Sequence, residues 1–205
     1  MFEEKDVSGC EYDDGYRYQV VQHCVDSIGA KSYLEIGCSD NDCFDKIKCD
    51  TKVGVDPVRG GTVRSTSDEF FETNTQKFDV IFIDGDHEHK QVQRDFKNSV
   101  NFLNEGGVIL FHDMLPKNRY AASSPRQKHK DAPAWNGNVW INAFELASNP
   151  DWEFFIVQID HGVGVCYRKN NASVLEYSGR TDWDYFREHW KNLPRTDLQE
   201  LQKLI

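Results

Sequence analysis

The chain has no apolar run long enough to cross a bilayer. Its amino terminus, Met1 to Asp6, carries neither a basic lead nor an apolar core, so no signal peptide is expected. Positive charge is scarce: 24 Lys and Arg face 34 Asp and Glu, a formal net charge of −10. Phosphate backbones are bound by clustered cations, which argues against nucleic acid as a partner. Six cysteines lie at 10, 24, 38, 43, 49 and 166 without a C-x-x-C pair, so neither a disulfide scaffold nor a zinc ribbon fits. Cys24 and Cys166 read as small core residues, and a reducing cytoplasm is the expected setting. There is no repeat and no low-complexity tract. With 205 residues, 28% charged and 39% hydrophobic, the chain suits one soluble globular domain over residues 1–205.

Two apolar runs end abruptly in reactive side chains. Phe78-Asp79-Val80-Ile81-Phe82-Ile83 leads into Asp84-Gly85-Asp86-His87, and Gly107-Val108-Ile109-Leu110-Phe111 leads into His112-Asp113. A run apolar on both faces reads as a strand buried in a parallel sheet. Ligands of open α/β sheets bind outside the carboxyl ends of such strands. Asp84, His87, His112 and Asp113 are therefore expected to meet in one crevice, which points to an enzyme.

The remaining periodicity alternates helix and strand. A helix is predicted over 16–28, stopped by Gly29, then a strand over 31–37, a helix over 43–47 and a strand over 53–55. A weaker strand at 62–64 precedes a helix capped by Ser67 and Asp68, followed by the strand at 78–84. Val92, Phe96, Val100 and Leu103 mark an amphipathic helix before the strand at 107–112. A further helix around 139–147 leads to strands at 152–159 and 163–168, joined through Asp160-His161-Gly162 as an antiparallel hairpin. The expected fold is α/β, a doubly wound Rossmann-like sheet, mostly parallel with a C-terminal antiparallel hairpin. The core covers about 16–169, and 171–205 forms a helical tail with Trp183, Phe186 and Trp190 on one face.

Leu34-Glu35-Ile36-Gly37-Cys38-Ser39-Asp40-Asn41 resembles the first-strand motif of class I S-adenosylmethionine-dependent methyltransferases, and Gly54-Val55-Asp56-Pro57 resembles their second-strand end. Ile83-Asp84-Gly85-Asp86-His87 with Phe111-His112-Asp113 is similar to a cation-dependent O-methyltransferase subgroup acting on catechols and macrolide sugars. The resemblance implies cofactor contacts from Glu35, Gly37, Ser39, Asp56, Pro57, Ser67 and Asp68, with Asp56 on the ribose hydroxyls. It also implies a divalent cation on Asp84, His112 and Asp113, and His87 as general base. Ser39 and Asn41 stand where the family often has glycine; Asn is the side chain that best tolerates a left-handed backbone. A nicotinamide dehydrogenase is disfavoured, because Gly37 is the lone glycine of a turn that would need G-x-G-x-x-G.

Methyl transfer to a hydroxyl needs an acceptor held in line and help in removing its proton. A cation stabilises the developing alkoxide. Oxygen ligands suit magnesium, while an imidazole ligand moves preference towards manganese or another transition ion. The competing reading makes Asp84 and Asp113 helix caps and His112 a core histidine bonded to backbone. The loop 116–136 concentrates Lys117, Arg119, Arg126, Lys128, His129 and Lys130. Placed over the site, it would suit an anionic or sugar-like small-molecule acceptor, with Trp135 as a stacking surface. A metal-dependent hydrolase would leave Glu35 and Asp56 without a role. A non-catalytic S-adenosylmethionine-binding protein would leave the metal cluster idle.

Overall fold

The computed structural model describes residues 3–204 apart from Asp131, Asn170 and Ala172. Asp131 of the basic loop, and Ala172 and Ile205 of the tail, thus lie outside the described residues. Helices α1 (Arg17–Ser27), α2 (Ser67–Thr73), α3 (His89–Phe102), α4 (Trp140–Ala147), α5 (Trp183–His189) and α6 (Leu198–Leu204) flank one sheet. Its strands are β1 (Ser32–Ile36), β2 (Thr51–Val55), β3 (Phe78–Ile83), β4 (Leu103–Phe111), β5 (Trp152–Val157), β6 (Val163–Arg168) and β7 (Arg195–Thr196). Their order is β2-β1-β3-β4-β6-β5-β7. The first four are mutually parallel, and β6 runs antiparallel to both β4 and β5.

Alternation along the central strands divides the core into two layers. Leu34, Ile36, Ile81, Ile83, Ile109 and Phe111 pack with Trp140 and Phe144 of α4 on one face. Tyr33, Val80, Phe82, Val108 and Leu110 pack with Val20, Val21 and Cys24 of α1 on the other. Apolar side chains on both faces are what made these strands read as continuous runs.

Several details differ from the sequence reading, and the helix expected over 43–47 is a single 3-10 turn at Phe44–Lys46. The expected strand at 62–64 is a single bridge between Val55 and Val63, because the chain turns back at Asp56 before a ladder can extend. The cap of α2 is Thr66, one residue earlier than expected: it accepts from Glu69 N while Glu69 bonds back to Thr66 N, a capping box. The strand expected from 107 begins at Leu103, which pairs with Phe78 directly after α3 ends. In the tail, β7 adds a short parallel strand to β5. Two residues carry no periodicity, so only the sheet edge could reveal it.

Candidate active site

The carboxyl ends of β1, β2, β3 and β4 open into one cleft of about 950 Å³. Glu35, Gly37, Ser39, Asp56, Pro57, Ser67, Asp68, Asp84, His87, His112 and Asp113 all line it. Register explains the convergence: Ile36, Val55, Ile83 and Phe111 end adjacent strands, so the next residue of each faces the same opening.

The β1 turn passes through left-handed backbone at Gly37 (φ 87°), Ser39 (46°) and Asn41 (65°). Asn41 Oδ1 accepts from Gly61 N at 2.7 Å and Asp56 Oδ2 accepts from Ser39 N at 2.8 Å, which ties this turn to the loop after β2. Asp56 Oδ1 accepts from Val58 N and Arg59 N at 2.8 and 2.9 Å. Burial opposes ionisation of Asp56, but these amide donors outweigh it and hold the carboxyl below its usual range. Glu35 is buried under the turn and accepts a hydrogen bond from the Tyr33 phenol. Burial pushes its carboxyl up to about 7. On the α2 side, Gln91 Nε2 donates to Ser67 Oγ, Asp68 Oδ1 and Asp95 Oδ1, holding the two expected contacts together.

The other half of the cleft is a charge network. His112 Nδ1 lies 3.1 Å from Asp84 Oδ1, and its Nε2 donates to the Asp160 carbonyl at 2.6 Å. Both ring nitrogens are therefore engaged. Burial would lower the His112 pKa, yet the charges of Asp113 and Asp84 win and hold it well above 6.5. Asp113, itself in a left-handed conformation (φ 64°), is held low despite its burial by the same partnership. Asp113 Oδ1 accepts from buried Asn136 Nδ2 at 2.6 Å, and Oδ2 lies 3.2 Å from His87 Nδ1. The His87 ring stacks on Trp135, with centroids 4.9 Å apart and planes at 6°. Trp135, expected to stack on an acceptor, thus has a face given to His87. Asp84, His87 and Asp113 each offer a ligand atom within 4.8 Å of the other two.

Several residues of the site escaped the sequence reading. Arg17, Asp160 and His161 come from the start of α1 and from the β5–β6 turn, and Arg17 and His161 line the cleft. The Asp160-His161-Gly162 tripeptide read only as a turn. Among the described residues no helix is long and apolar enough to cross a membrane.

Residues 20–114 match the model of a methyltransferase domain family. A protein of Acanthamoeba polyphaga mimivirus is 40% identical over 42 residues, a match spanning 20% of this chain and 19% of that relative. Among solved structures, a protein named as a caffeoyl-CoA O-methyltransferase from Staphylococcus aureus superposes with a TM-score of 0.55 at 16% identity, covering 78% of this chain and 86% of that one. A methyltransferase of Podospora anserina bound to S-adenosylhomocysteine gives 0.56 at 17% identity, with 77% and 80% covered. An O-methyltransferase of Bacillus cereus in complex with S-adenosylhomocysteine gives 0.52 at 16%, with 77% and 83% covered. The matched stretch is a little under half of the chain, and the superpositions show that the chain shares the fold of these methyltransferases. The match runs from within α1 to just beyond the end of β4 and contains every residue expected at the site, whereas Arg17, Asn136, Asp160 and His161, recognised only in space, lie outside it.

Proposed function

We propose that the protein transfers a methyl group from S-adenosylmethionine to the hydroxyl of a small molecule, with His87 as general base. The observation that carries this reading is His87 Nδ1 lying 3.2 Å from buried Asp113, in the same cleft as Glu35 and Asp56. With Nδ1 turned towards Asp113, Nε2 is the nitrogen left to accept a proton. The acceptor oxygen attacks the sulfonium methyl, its proton passes to His87 Nε2, and neutral S-adenosylhomocysteine leaves. Glu35 would lie at the methionine part of the cofactor, Asp56 would accept from its ribose hydroxyls, and Ser67 and Asp68 would line the rest of its pocket. Gly37, Ser39 and Pro57 shape the turn between them.

The acidic donors fit a divalent cation, since Asp84 and Asp113 stand within bridging distance and Asp113 is held anionic. Asp84 and Asp113 would hold such an ion, magnesium or manganese, and it would supply charge stabilisation at the acceptor oxygen. His112, the expected third ligand, enters that shell only by giving up Asp84 or the Asp160 carbonyl. An anionic or sugar-like acceptor is supported by the loop 116–136, where Arg126 lies 5.5 Å over the Trp135 ring beside His87.

The test measures S-adenosylhomocysteine formed with a panel of phenolic, sugar and uronic-acid hydroxyls. His87→Ala is expected to lower turnover about a hundredfold, to remove the acidic limb of the pH profile, and to leave cofactor affinity intact. Turnover equal to wild type with an unchanged acidic limb would remove His87 from the chemistry.

A further inference from the structure

Arg17 has no part in that reaction, yet it is among the most constrained charges in the cleft. Its Nε lies 3.0 Å from Asp84 Oδ2 and its Nη1 3.1 Å from Asp160 Oδ2. Its main-chain N donates to the same Asp160 oxygen at 2.9 Å, so the first residue of α1 is pinned at both backbone and side chain. The Arg17 side chain is 28% exposed and that of Asp84 only 11%, well away from the freely solvated regime in which ion pairs count for little. The other Asp84 oxygen is taken by His112. Each oxygen of the carboxylate thus has a close neighbour, Oδ2 a guanidinium in an ion pair that keeps its charge at any working pH.

A divalent cation would reach Asp84 through those same oxygens. We infer that Arg17 is a built-in counter-cation that competes with divalent metal for Asp84, so the affinity of the site is set by how readily the guanidinium moves aside. The inference rests on the cation reading proposed above. It follows from charge placement: Arg17 and His112 are the two cationic neighbours of a poorly solvated carboxylate, and removing Arg17 leaves Asp84 offset by His112 alone, a deficit that a metal ion relieves. Asp160 makes the exchange feasible. Arg17 keeps its Nη1 and main-chain contacts there when Nε leaves Asp84. Arg17 is thus a positioning residue that tunes metal uptake, not a group that touches the reacting atoms.

The test is manganese binding to the full chain, read from the free-ion paramagnetic resonance signal, in wild type, Arg17→Gln and Arg17→Lys. Arg17→Gln is expected to bind manganese about tenfold tighter or more. Arg17→Lys keeps the charge but cannot present a planar fork to Asp84 and Asp160, and should fall between. Equal affinity in wild type and both variants overturns the competition while leaving the cation site standing. No binding to any of the three removes the cation site and the inference with it. Where Arg17→Gln does not fold, the lysine variant decides alone: an affinity unchanged from wild type overturns the inference.

Discussion

Glu35 shows how one residue links fold and pH. Its carboxyl sits at the end of β1, where the parallel sheet buries it, and burial raises its pKa from 4.5 to about 7. A raised carboxyl pKa means that the folded state favours the neutral form. The stability Glu35 contributes is therefore complete below about pH 4.5 and is lost as pH rises through 7. Without cofactor, Glu35→Gln should be more stable than wild type at pH 8 by up to about 3 kcal/mol, with the difference fading towards pH 4.5. Thermal unfolding at the two pH values checks this, and a pH-independent difference would contradict it. Asp56 shows the opposite balance from the same kind of side chain, because three backbone amides outweigh its burial.

At the scale of elements, the site depends on how closely the ends of β1 and β3 approach. Gly37 lies at φ 87°, and a Cβ there would fall on the Asp84 carbonyl and Gly85 Cα. Gly29, after α1, has a similar φ of 62° but open space around it. Gly29→Ala should cost about 1 kcal/mol of backbone strain, whereas Gly37→Ala should cost several-fold more and abolish S-adenosylhomocysteine binding. Denaturant unfolding and calorimetry on the pair separate strain from collision; equal losses would show that the approach of the two turns does not matter. The β5–β6 hairpin also belongs to this scale. Its turn carries Asp160 to Arg17 and His112, so an edge feature of the sheet completes the charge network at its centre.

For the whole molecule, the tail and the amino-terminal segment brace the loop that covers the cleft. Trp190 is buried and its Nε1 donates to the Ser8 carbonyl at 2.8 Å. Ser8 N in turn donates to the Lys117 carbonyl at 3.0 Å, and Ser8 Oγ to the Pro116 carbonyl at 2.9 Å. Trp183 Nε1 reaches the Lys5 carbonyl at 2.9 Å. Trp190→Ala should lower stability by about 3–5 kcal/mol, from lost packing and the cavity left behind. It should also speed trypsin cleavage at Arg126, Lys128 and Lys130, while leaving S-adenosylhomocysteine affinity near normal. A fall in melting temperature with unchanged cleavage would reduce the tail to a packing role.

The central strands were legible in the chain itself because burial on both faces writes a continuous apolar run, and each run ended in the residue that lines the cleft. Periodicity also located α1 and α4 to within a residue or two and marked α3, since an amphipathic helix must repeat its apolar face, although Leu103 of the expected α3 pattern opens β4 instead. What the chain could not show was everything decided by distance in space. Arg17 meets Asp84 across 67 positions only because α1 starts beside the carboxyl end of β3. His112 has both nitrogens engaged because the β5–β6 turn folds back over β4. Trp135 stacks on His87 only once the long loop closes on the strand ends. Local pattern determined the elements and the reactive side chains they deliver, whereas the pairing of charges among those side chains came from the tertiary packing, because Coulomb and hydrogen-bond partners are chosen by proximity in space and not along the chain.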